Sequence, residues 1–401
     1  MRRVAYLVSR YPATNHTFVL REVVGLRSCG FDVSVVAIRG DERPPSAVTE
    51  IERQESRACR YVLPFGRHVV LAHMKTAATR PWRYLSGLAL AVRLSRWNLR
   101  KVGSLLAYFA EAVVVGEYVR QLRVNHVHTH FSSTVALIAK RIFDLDISMT
   151  IHGPGEFDDV VGFYLPEKVA ASRFVVTISD FGKSQVMRAS APTDWGRIVT
   201  CRLGVDPSHF SPRAHRDDPN RFELITVGRL APVKAQRVLL EAAKLLADAG
   251  RSFRLRIVGP GPDRDALAAA IGNDNLQNFV TLVGAVNQDD LLQMYRETDI
   301  FVLASFAEGV PVVLMEAMAR EIPCVSTWVN GIPELITNEV SGLLVAPSSA
   351  TDLASRIAQL MDDSKLRERL GREGRRRVLA EYNLARNAQS LAAVFDAQVR
   401  D

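Results

Sequence analysis

Short apolar runs alternate with amphipathic stretches along the whole chain. In the first half, the apolar runs predict strands at Arg3–Ser9, Asp32–Ile38, His126–His130, Ser148–His152, Phe174–Ile178 and Arg197–Leu203. In the second half, they predict strands at Glu223–Val227, Leu255–Val258, Val280–Val283, Ile300–Ala304, Cys324–Thr327 and Gly342–Val345. Apolar positions with helical spacing lie between the strands, as at Thr17–Cys29, Thr134–Phe143 and Phe181–Ser190. Strands that alternate with helices predict doubly wound parallel sheets, whose ligands bind beyond the carboxyl ends of the strands.

The polar segment Asp206–Arg221 interrupts this alternation and contains three prolines, as expected of a linker. The chain of 401 residues is long enough for two domains. We therefore predict a first α/β domain at 1–205 and a second at 206–383. Two further helices are predicted near the end of the chain, a basic one at Lys365–Glu381 and a last one at Leu384–Val399.

The composition is that of an ordinary globular protein, with 48% hydrophobic and 23% charged residues. The most apolar helical stretch, Leu105–Val119, contains Glu111 and Glu117, so we expect no transmembrane helix. The N-terminus predicts a first strand instead of a signal peptide. The four cysteines are scattered without a CxxC pair, which indicates a reducing cytoplasm.

Positive charge is concentrated in one segment, Arg60–Arg123. It holds eleven Lys or Arg residues against Glu111 and Glu117, so it carries a net +9 in a chain whose net charge is +8. Aromatic residues are interleaved with these charges, namely Trp82, Tyr84, Trp97, Tyr108 and Phe109. Basic and aromatic residues together favour an anionic membrane surface, here the inner face of the cytoplasmic membrane. An ordinary solvated face and a nucleic acid partner are the alternatives, but no recognition motif supports the latter and we expect no nucleic acid.

The segment EGVPVVLME at 308–316 places two carboxylates eight positions apart across a predicted loop and helix. Gly309 allows a close backbone approach, and Pro311 suits the first position of a helix that continues to Arg320. Free N–H groups at such a helix start bind phosphates. Glu308 and Glu316 would then lie at different depths beside one anion, one binding sugar hydroxyls and the other ribose hydroxyls. A helix that happens to begin near acids is the alternative.

Two cations and a histidine follow predicted strands. Arg229 ends one strand and Lys234 opens the next helix, so together they could neutralise a diphosphate without a metal. His152 ends an apolar strand of the first half, where side chains face the ligand site of a doubly wound sheet. The alternatives are two solvated surface cations and a hydrogen-bonded structural histidine.

The strand His126–His130 carries three histidines with a period of two. His126, His128 and His130 therefore lie on one strand face. No carboxylate accompanies them at ligand spacing in the sequence, so we expect no metal site.

Four segments together resemble family 4 of the retaining glycosyltransferases. They are LGVDPSHFSP at 203–212, GRLAPVK at 228–234, EGVPVVLMEA at 308–317 and NGIPELI at 330–336. The resemblance implies the GT-B fold, in which two Rossmann-like domains face a deep cleft and the last helix, 384–401, crosses back onto the N-terminal domain. YPATNHTFVLREV at 11–23 and HGPGEF at 152–157 are similar to the bacterial exopolysaccharide enzymes of the colanic-acid type.

The resemblance implies that the C-terminal domain binds a nucleotide-sugar and the N-terminal domain an acceptor. Arg229 and Lys234 would hold the diphosphate, and Glu316 would bind the ribose. His152 would contact the sugar and the reacting phosphate. Backbone near Val286 would meet the base. The donor sugar would be held by Glu308 and by the backbone of the residues that follow it, which are Gly309, Val310, Pro311 and Val312.

The reaction implied by the resemblance moves a hexosyl group, or a derivative, from a UDP- or GDP-linked donor to a glycan acceptor that is lipid-linked. Retaining members of the family react on the front face of the sugar, and the leaving phosphate helps to deprotonate the acceptor. No cofactor or metal is expected. A sugar-nucleotide or glycan binder without activity on the same fold is the alternative. It predicts loss of the phosphate-binding and carboxylate residues, which are all present here.

The sequence departs from the family pattern in two places. Many members have a Gly-Gly loop after the first strand, where this chain has PATNHT at 12–17. The side chains of Asn15, His16 or Thr17 could contact phosphate or acceptor instead, or Asn15 or Thr14 could merely cap the following helix. The second departure is Ala235, which follows Lys234 where the family often has glycine.

Overall fold

The computed structural model describes residues 2–13, 17–43, 48–96, 98–214 and 220–399. The chain divides into two compact units. Unit 1 consists of Met1–Cys201 with Ala388–Asp401, and unit 2 is Arg202–Asn387. The described residues of the polar segment that begins at Asp206 belong to unit 2, where the backbone N–H of Arg213 donates to the carbonyl of Arg320.

Unit 1 is built on a parallel sheet with seven strands among the described residues. The strands are β1 (Arg3–Arg10), β2 (Asp32–Arg39), β3 (Arg60–Tyr61), β4 (His126–His130), β5 (Asp146–Ile151), β6 (Val175–Thr177) and β7 (Ile198–Thr200). Their spatial order is β3-β2-β1-β4-β5-β6-β7, and each pair is parallel. Only the short strand β3 was missed by the apolar pattern, because two residues are too few to show a period.

Helices cover both faces of this sheet. They are α1 (Thr17–Ser28), α2 (Glu50–Ala58), α3 (Arg67–Thr79), α4 (Pro81–Leu94), α5 (Leu99–Gln121), α6 (Ser133–Phe143), α7 (Leu165–Ala171) and α8 (Asp180–Arg188). Alternate residues of β1 point to opposite faces, since Ala5 and Leu7 share a core with α5 and α6, whereas Val4 and Tyr6 share one with α1. The predicted doubly wound arrangement is confirmed.

Unit 2 contains a parallel sheet with six strands among its described residues. The strands are β8 (Phe222–Val227), β9 (Phe253–Val258), β10 (Val280–Gly284), β11 (Ile300–Leu303), β12 (Cys324–Thr327) and β13 (Leu343–Val345). Their order is β10-β9-β8-β11-β12-β13. In both units the chain reverses its direction of progress across the sheet beside the first strand, which is the switch point where doubly wound sheets bind ligands.

The helices of unit 2 are α9 (Gln236–Asp248), α10 (Arg264–Asn273), α11 (Gln288–Glu297), α12 (Val312–Ala319), α13 (Ile332–Leu335), α14 (Ala350–Asp362) and α15 (Ser364–Glu381). The last helix, α16 (Leu384–Gln398), leaves unit 2 and adds Leu391 and Phe395 to the core of unit 1, against Tyr6 and Phe174. The prediction that the last helix returns to the N-terminal domain is confirmed.

Helix α5 contains one stretch, Arg100–Gln121, that is long and apolar enough to cross a membrane by length and composition. Within its most apolar window, 56% of the residues are buried inside the protein. Val113 and Val115 belong to the core of unit 1, and α5 packs against α3, α4 and α6. These contacts are those of a core helix.

Candidate functional site

The loops that follow β8, β9 and β10 are held together by backbone hydrogen bonds at one edge of the unit 2 sheet. Gly228 N–H donates to Val258 (2.9 Å), and Gly259 N–H donates to Gly284 (2.8 Å). Gly259 has a φ of +136°, and a Cβ there would lie 2.1 Å from the Gly228 carbonyl oxygen. Only glycine fits this position. The predicted ligand edge is therefore a closely packed backbone surface.

Lys234 and Glu308 form an ion pair at this edge. Lys234 ends a short 3₁₀ helix, Pro232–Lys234, and its Nζ lies 2.6 Å from Glu308 Oε1. Ser305 Oγ donates to the same oxygen at 2.6 Å. From the sequence we predicted that Lys234 binds phosphate and that Glu308 binds the sugar, but not that these two side chains form an ion pair. An ammonium group has three donors, so the bond to Glu308 still allows Lys234 to bind a phosphate.

Arg229 and Val286 lie on neighbouring loops. Arg229 follows β8 and is exposed, and its carbonyl accepts a hydrogen bond from Gln236 Nε2 (2.9 Å). Val286 lies half-buried between β10 and α11. Because β8 and β10 are parallel strands of one sheet, both loops lie at its carboxyl edge.

The loop Glu308–Pro311 leads into α12. The helix begins at Val312, with Pro311 just before it at φ −69° and ψ 120°, so the placement of Pro311 at the first helical position was wrong by one residue. An extended proline at that point still directs the chain into the helix. Val310 is buried beneath the loop, and Gly309 precedes it.

The NGIPELI segment packs against this loop. Asn330 Oδ1 accepts a hydrogen bond from the backbone N–H of Glu308 (3.3 Å). A Cβ on Gly331 would lie 2.3 Å from the carbonyl oxygen of Gly309. The EGVPVVLME and NGIPELI segments are separated in the sequence, and in the fold their loops pack directly against each other.

Both carboxylates of the EGVPVVLME segment are buried, Glu308 at 7% and Glu316 at 3% exposure. Glu316 lies in the second turn of α12, beside Tyr295 of α11. Burial raises the pKa of the Tyr295 phenol well above its usual value, and the Glu316 carboxylate raises it further. Tyr295 was not predicted as a site residue, because it lies within an ordinary helical pattern.

Ala235 adopts a left-handed backbone with φ +49° and ψ +37°. Residues with a Cβ disfavour this region, whereas glycine adopts it readily. The glycine that the family often has at this position is thereby explained. In this chain the alanine keeps the left-handed turn between Lys234 and α9.

His152 follows β5 in unit 1 and is buried. Its backbone N–H donates to Glu156 Oε2 (2.7 Å), as does that of Gly153 (3.3 Å). Burial raises the pKa of the Glu156 carboxyl to about 7, although these two bonds oppose the shift. Burial also lowers the pKa of Lys168 to about 7. Glu156, in the HGPGEF segment, thus fixes the backbone turn that carries His152.

The three histidines of β4 share one buried face, as predicted. His126 Nε2 and His128 Nδ1 each lie 2.7 Å from Ser148 Oγ, and His128 Nε2 lies 2.8 Å from Thr150 Oγ1. Burial lowers the pKa of His126 to about 4 and that of His128 well below its usual value. Both are hydrogen-bonded histidines of the core.

His130 is different because it contacts Glu22 of α1. Its Nε2 lies 3.2 Å from Glu22 Oε1, and its Nδ1 lies 2.7 Å from His152 Nε2. Glu22 is 108 positions away from His130, so spacing in the sequence could not associate this carboxylate with the histidines. Glu22, His128 and His130 lie close enough together to hold a metal ion. The fold thus brings together a cluster that spacing alone did not predict.

The loop before α1 is described only in part. Thr17 is the first residue of α1, whereas Thr14, Asn15 and His16 lie outside the described residues. Their predicted contacts with phosphate or acceptor therefore stay a prediction.

Comparison with known proteins relates the second half of the chain to one family. Residues 208–377 match the family described as glycosyl transferases group 1. The chain is 28% identical over 414 residues to an Escherichia coli K12 protein named as the colanic acid biosynthesis glycosyltransferase WcaL, covering 98% of this chain and 100% of WcaL. It is 26% identical over 383 residues to the amylovoran biosynthesis glycosyltransferase AmsK of Erwinia amylovora, covering 89% of this chain and 90% of AmsK.

The fold has solved counterparts. The structure of Anabaena Alr3699/HepE in complex with UDP-glucose superposes with a TM-score of 0.75 at 15% identity, covering 99% of this chain and 100% of that one. At this identity the likeness concerns the fold alone.

Proposed function

We propose that this chain catalyses a retaining transfer of a hexosyl group or a derivative. The chain carries a group 1 glycosyl transferase domain and has the GT-B fold. The donor is a UDP- or GDP-linked sugar, and the acceptor is a lipid-linked glycan of bacterial polysaccharide biosynthesis. The observation that carries the proposal is the Lys234–Glu308 ion pair, which lies at the ligand edge of the matched domain. The names of the relatives WcaL and AmsK support the polysaccharide role.

Unit 2 is the proposed donor-binding unit. Arg229 and Lys234 bind the diphosphate, and Val286 meets the base through its backbone. Glu316 binds the ribose. Glu308 holds the donor sugar, together with the backbone of Gly309, Val310, Pro311 and Val312. The support for these roles is the position of all these residues in the matched domain, on loops that follow parallel strands or on α12.

The proposed reaction breaks the bond between the anomeric carbon and the diphosphate oxygen. A new bond forms from that carbon to an acceptor hydroxyl oxygen on the same face, and the hydroxyl proton passes to the leaving phosphate. Negative charge develops on the leaving diphosphate, where pre-placed cations lower the barrier. Arg229 and Lys234 supply that charge, so we propose no metal and no cofactor. His152 is proposed to contact the sugar and the reacting phosphate.

A membrane-facing surface on unit 1 is proposed to bring the enzyme to its lipid-linked acceptor. Trp82 is 83% exposed and Leu71 is 63% exposed, and Val70 and Met74 lie exposed on the same helix as Leu71. The same segment carries exposed cations, which are Arg67, Lys75, Arg83, Arg93, Arg96, Arg100 and Lys101. Exposed apolar side chains interspersed with cations along a segment suit an anionic bilayer. We therefore propose a cytoplasmic protein that binds peripherally to the inner face of the membrane.

Thermal unfolding against a panel of nucleotides tests the donor site. The panel contains UDP, GDP, ADP and dTDP with their sugars, and Glu316→Ala is the control. We expect one nucleotide to raise the Tm of the wild type and to have little effect on the variant, because a ligand that binds only the folded state stabilises it. If no nucleotide shifts the wild type, the donor site is wrong and a glycan-binding protein without this activity becomes the better description.

A further inference from the structure

A chain of hydrogen bonds runs through the core of unit 1 and ends on His152. Tyr6 Oη donates to Glu22 Oε1 at 2.6 Å. The same carboxylate oxygen lies 3.2 Å from His130 Nε2, and His130 Nδ1 lies 2.7 Å from His152 Nε2. Four side chains from β1, α1, β4 and the end of β5 thus form one connected series.

The chemistry of the partners decides where the protons lie. Burial and the Glu22 charge raise the pKa of Tyr6 well above its usual value, so its hydroxyl remains a donor. The carboxylate of Glu22 accepts, so Nε2 of His130 carries the proton. With Nε2–H donating to Glu22, His130 accepts at Nδ1, and His152 donates from Nε2.

Stacking holds the two imidazoles in this geometry. The rings of His130 and His152 lie 5.0 Å apart at 28°, and Phe131 stacks on His152 at 5.0 Å and 29°. Phe18 contacts the same ring at 4.5 Å. His152 is therefore fixed by aromatic contacts as well as by its bond to His130.

We propose that Glu22 and His130 are positioning residues that hold His152 as its Nε2–H tautomer. Nδ1 of His152 is then the nitrogen without a proton. Glu22 further stabilises any positive charge that the imidazole gains during transfer. This inference rests on the proposed role of His152 in the glycosyltransferase reaction. Misplacing a catalytic group by about 1 Å can lower a rate about 100-fold.

A metal held by Glu22, His128 and His130 would need a different hydrogen-bond pattern. Both nitrogens of His128 already lie within 2.8 Å of hydroxyl oxygens, those of Ser148 and Thr150. Nδ1 of His130 is bonded to His152, and its Nε2 to Glu22. The existing bonds account for these nitrogens without an ion.

The test compares Glu22→Gln and His130→Leu with His128→Gln in the full chain. His128 lies on the same strand and is equally buried, but it is outside the series. We expect kcat for sugar transfer to fall by as much as about 100-fold in the first two variants and to stay near the wild-type value in the third. The Tm shift produced by the donor nucleotide should persist in all three.

Imidazole nitrogen NMR on uniformly ¹⁵N-labelled protein gives the second readout. We expect His152 as the Nε2–H tautomer in the wild type and a changed tautomer balance in His130→Leu. A wild type with His152 protonated on Nδ1, or with His130 doubly protonated, overturns the inference. So does full activity of Glu22→Gln and His130→Leu, or a zinc ion retained by the wild type and lost with activity in His128→Gln.

The two proposals fail in different ways. If the wild type transfers no sugar from any donor, the proposed function fails, and the tautomer measurement still decides the proton positions. If the wild type is active and His152→Ala is inactive while both positioning variants are fully active, only the present inference fails.

Discussion

At the scale of single residues, the neighbours of Lys234 distinguish it from an ordinary surface lysine. Its ammonium contacts Glu308 and is partly exposed, whereas Lys244 on α9 pairs with Asp248 at the surface. We expect Lys234→Ala to lower kcat about 10²–10³-fold, because a preorganised charge on the leaving group is lost. Lys244→Ala is the control and should keep its rate. A Lys234→Ala variant that folds normally and retains more than a tenth of the wild-type kcat would contradict the diphosphate role.

Ala235 gives a stability prediction at the same scale. Its left-handed backbone costs a residue with Cβ roughly 1–2 kcal/mol, and glycine avoids this cost but loses roughly 0.4–1 kcal/mol of entropy on folding. We therefore expect Ala235→Gly to raise the free energy of unfolding by up to about 1 kcal/mol. Urea unfolding measures it. Ala249→Gly is the matched control, because Ala249 has an ordinary φ of −79°. This substitution should lower the free energy of unfolding by about 0.5–1 kcal/mol.

The histidine row of β4 makes a prediction at the scale of the element. Burial lowers the folded-state pKa of His126 to about 4, below its ordinary 6.5, and shifts His128 in the same direction. Because the pKa of His126 is lower in the folded protein, the unfolded chain binds a proton at a higher pH than the folded protein does. The contribution of the neutral, buried imidazole to the free energy of unfolding is therefore fully present above pH 6.5 and is lost as the pH falls toward 4.

The slope of that loss is the quantity to measure. Each such histidine contributes at most about 1.4 kcal/mol per pH unit. We expect His126→Asn to lose stability less steeply between pH 6.5 and 4.5 than the wild type, whatever its stability at pH 7. Urea unfolding at several pH values gives the slopes, with the exposed His209→Asn as control. Equal slopes for wild type and His126→Asn would show that the imidazole of His126 is not buried and neutral.

The aromatic residues of the basic segment show how an element sorts side chains that look alike in sequence. Phe109 is buried in the core of unit 1, and the Tyr84 hydroxyl lies 2.9 Å from His73 Nδ1. Trp82 and Tyr108 are exposed, and Trp97 lies outside the described residues. From the sequence, all five aromatic residues were assigned to a membrane surface. Phe109 and Tyr84 instead pack between α3, α4 and α5, because each of those helices buries one face.

Membrane binding is the prediction at the scale of the whole molecule. We expect the protein to sediment with phosphatidylglycerol vesicles at low salt, to release as salt rises, and to ignore phosphatidylcholine vesicles, since the attraction is electrostatic and screened. Leu71→Asp should weaken the binding. Leu245→Asp is the matched control, because Leu245 is 43% exposed on α9 in unit 2 and outside the proposed surface. Equal sedimentation of both variants with wild type would remove this surface from the proposal.

The sequence alone determined the described strands except β3, several of the helices and the two doubly wound sheets of this protein. Each of these depends on local periodicity, so β4 and β12 were predicted with the bounds that they have in the structure. The donor-site motifs were also found in sequence, because close backbone approach and phosphate binding require particular residue types at short spacing.

Only the tertiary structure decided which of these residues touch. Lys234 and Glu308 are 74 positions apart, and Glu22 and His130 are 108 apart. The sheet order and the packing of α1 bring each pair together, and no local pattern encodes either distance. The sequence therefore supplies the chemical groups, whereas the fold decides their partners, because hydrogen bonds and ion pairs form only within about 3–4 Å whatever the separation along the chain.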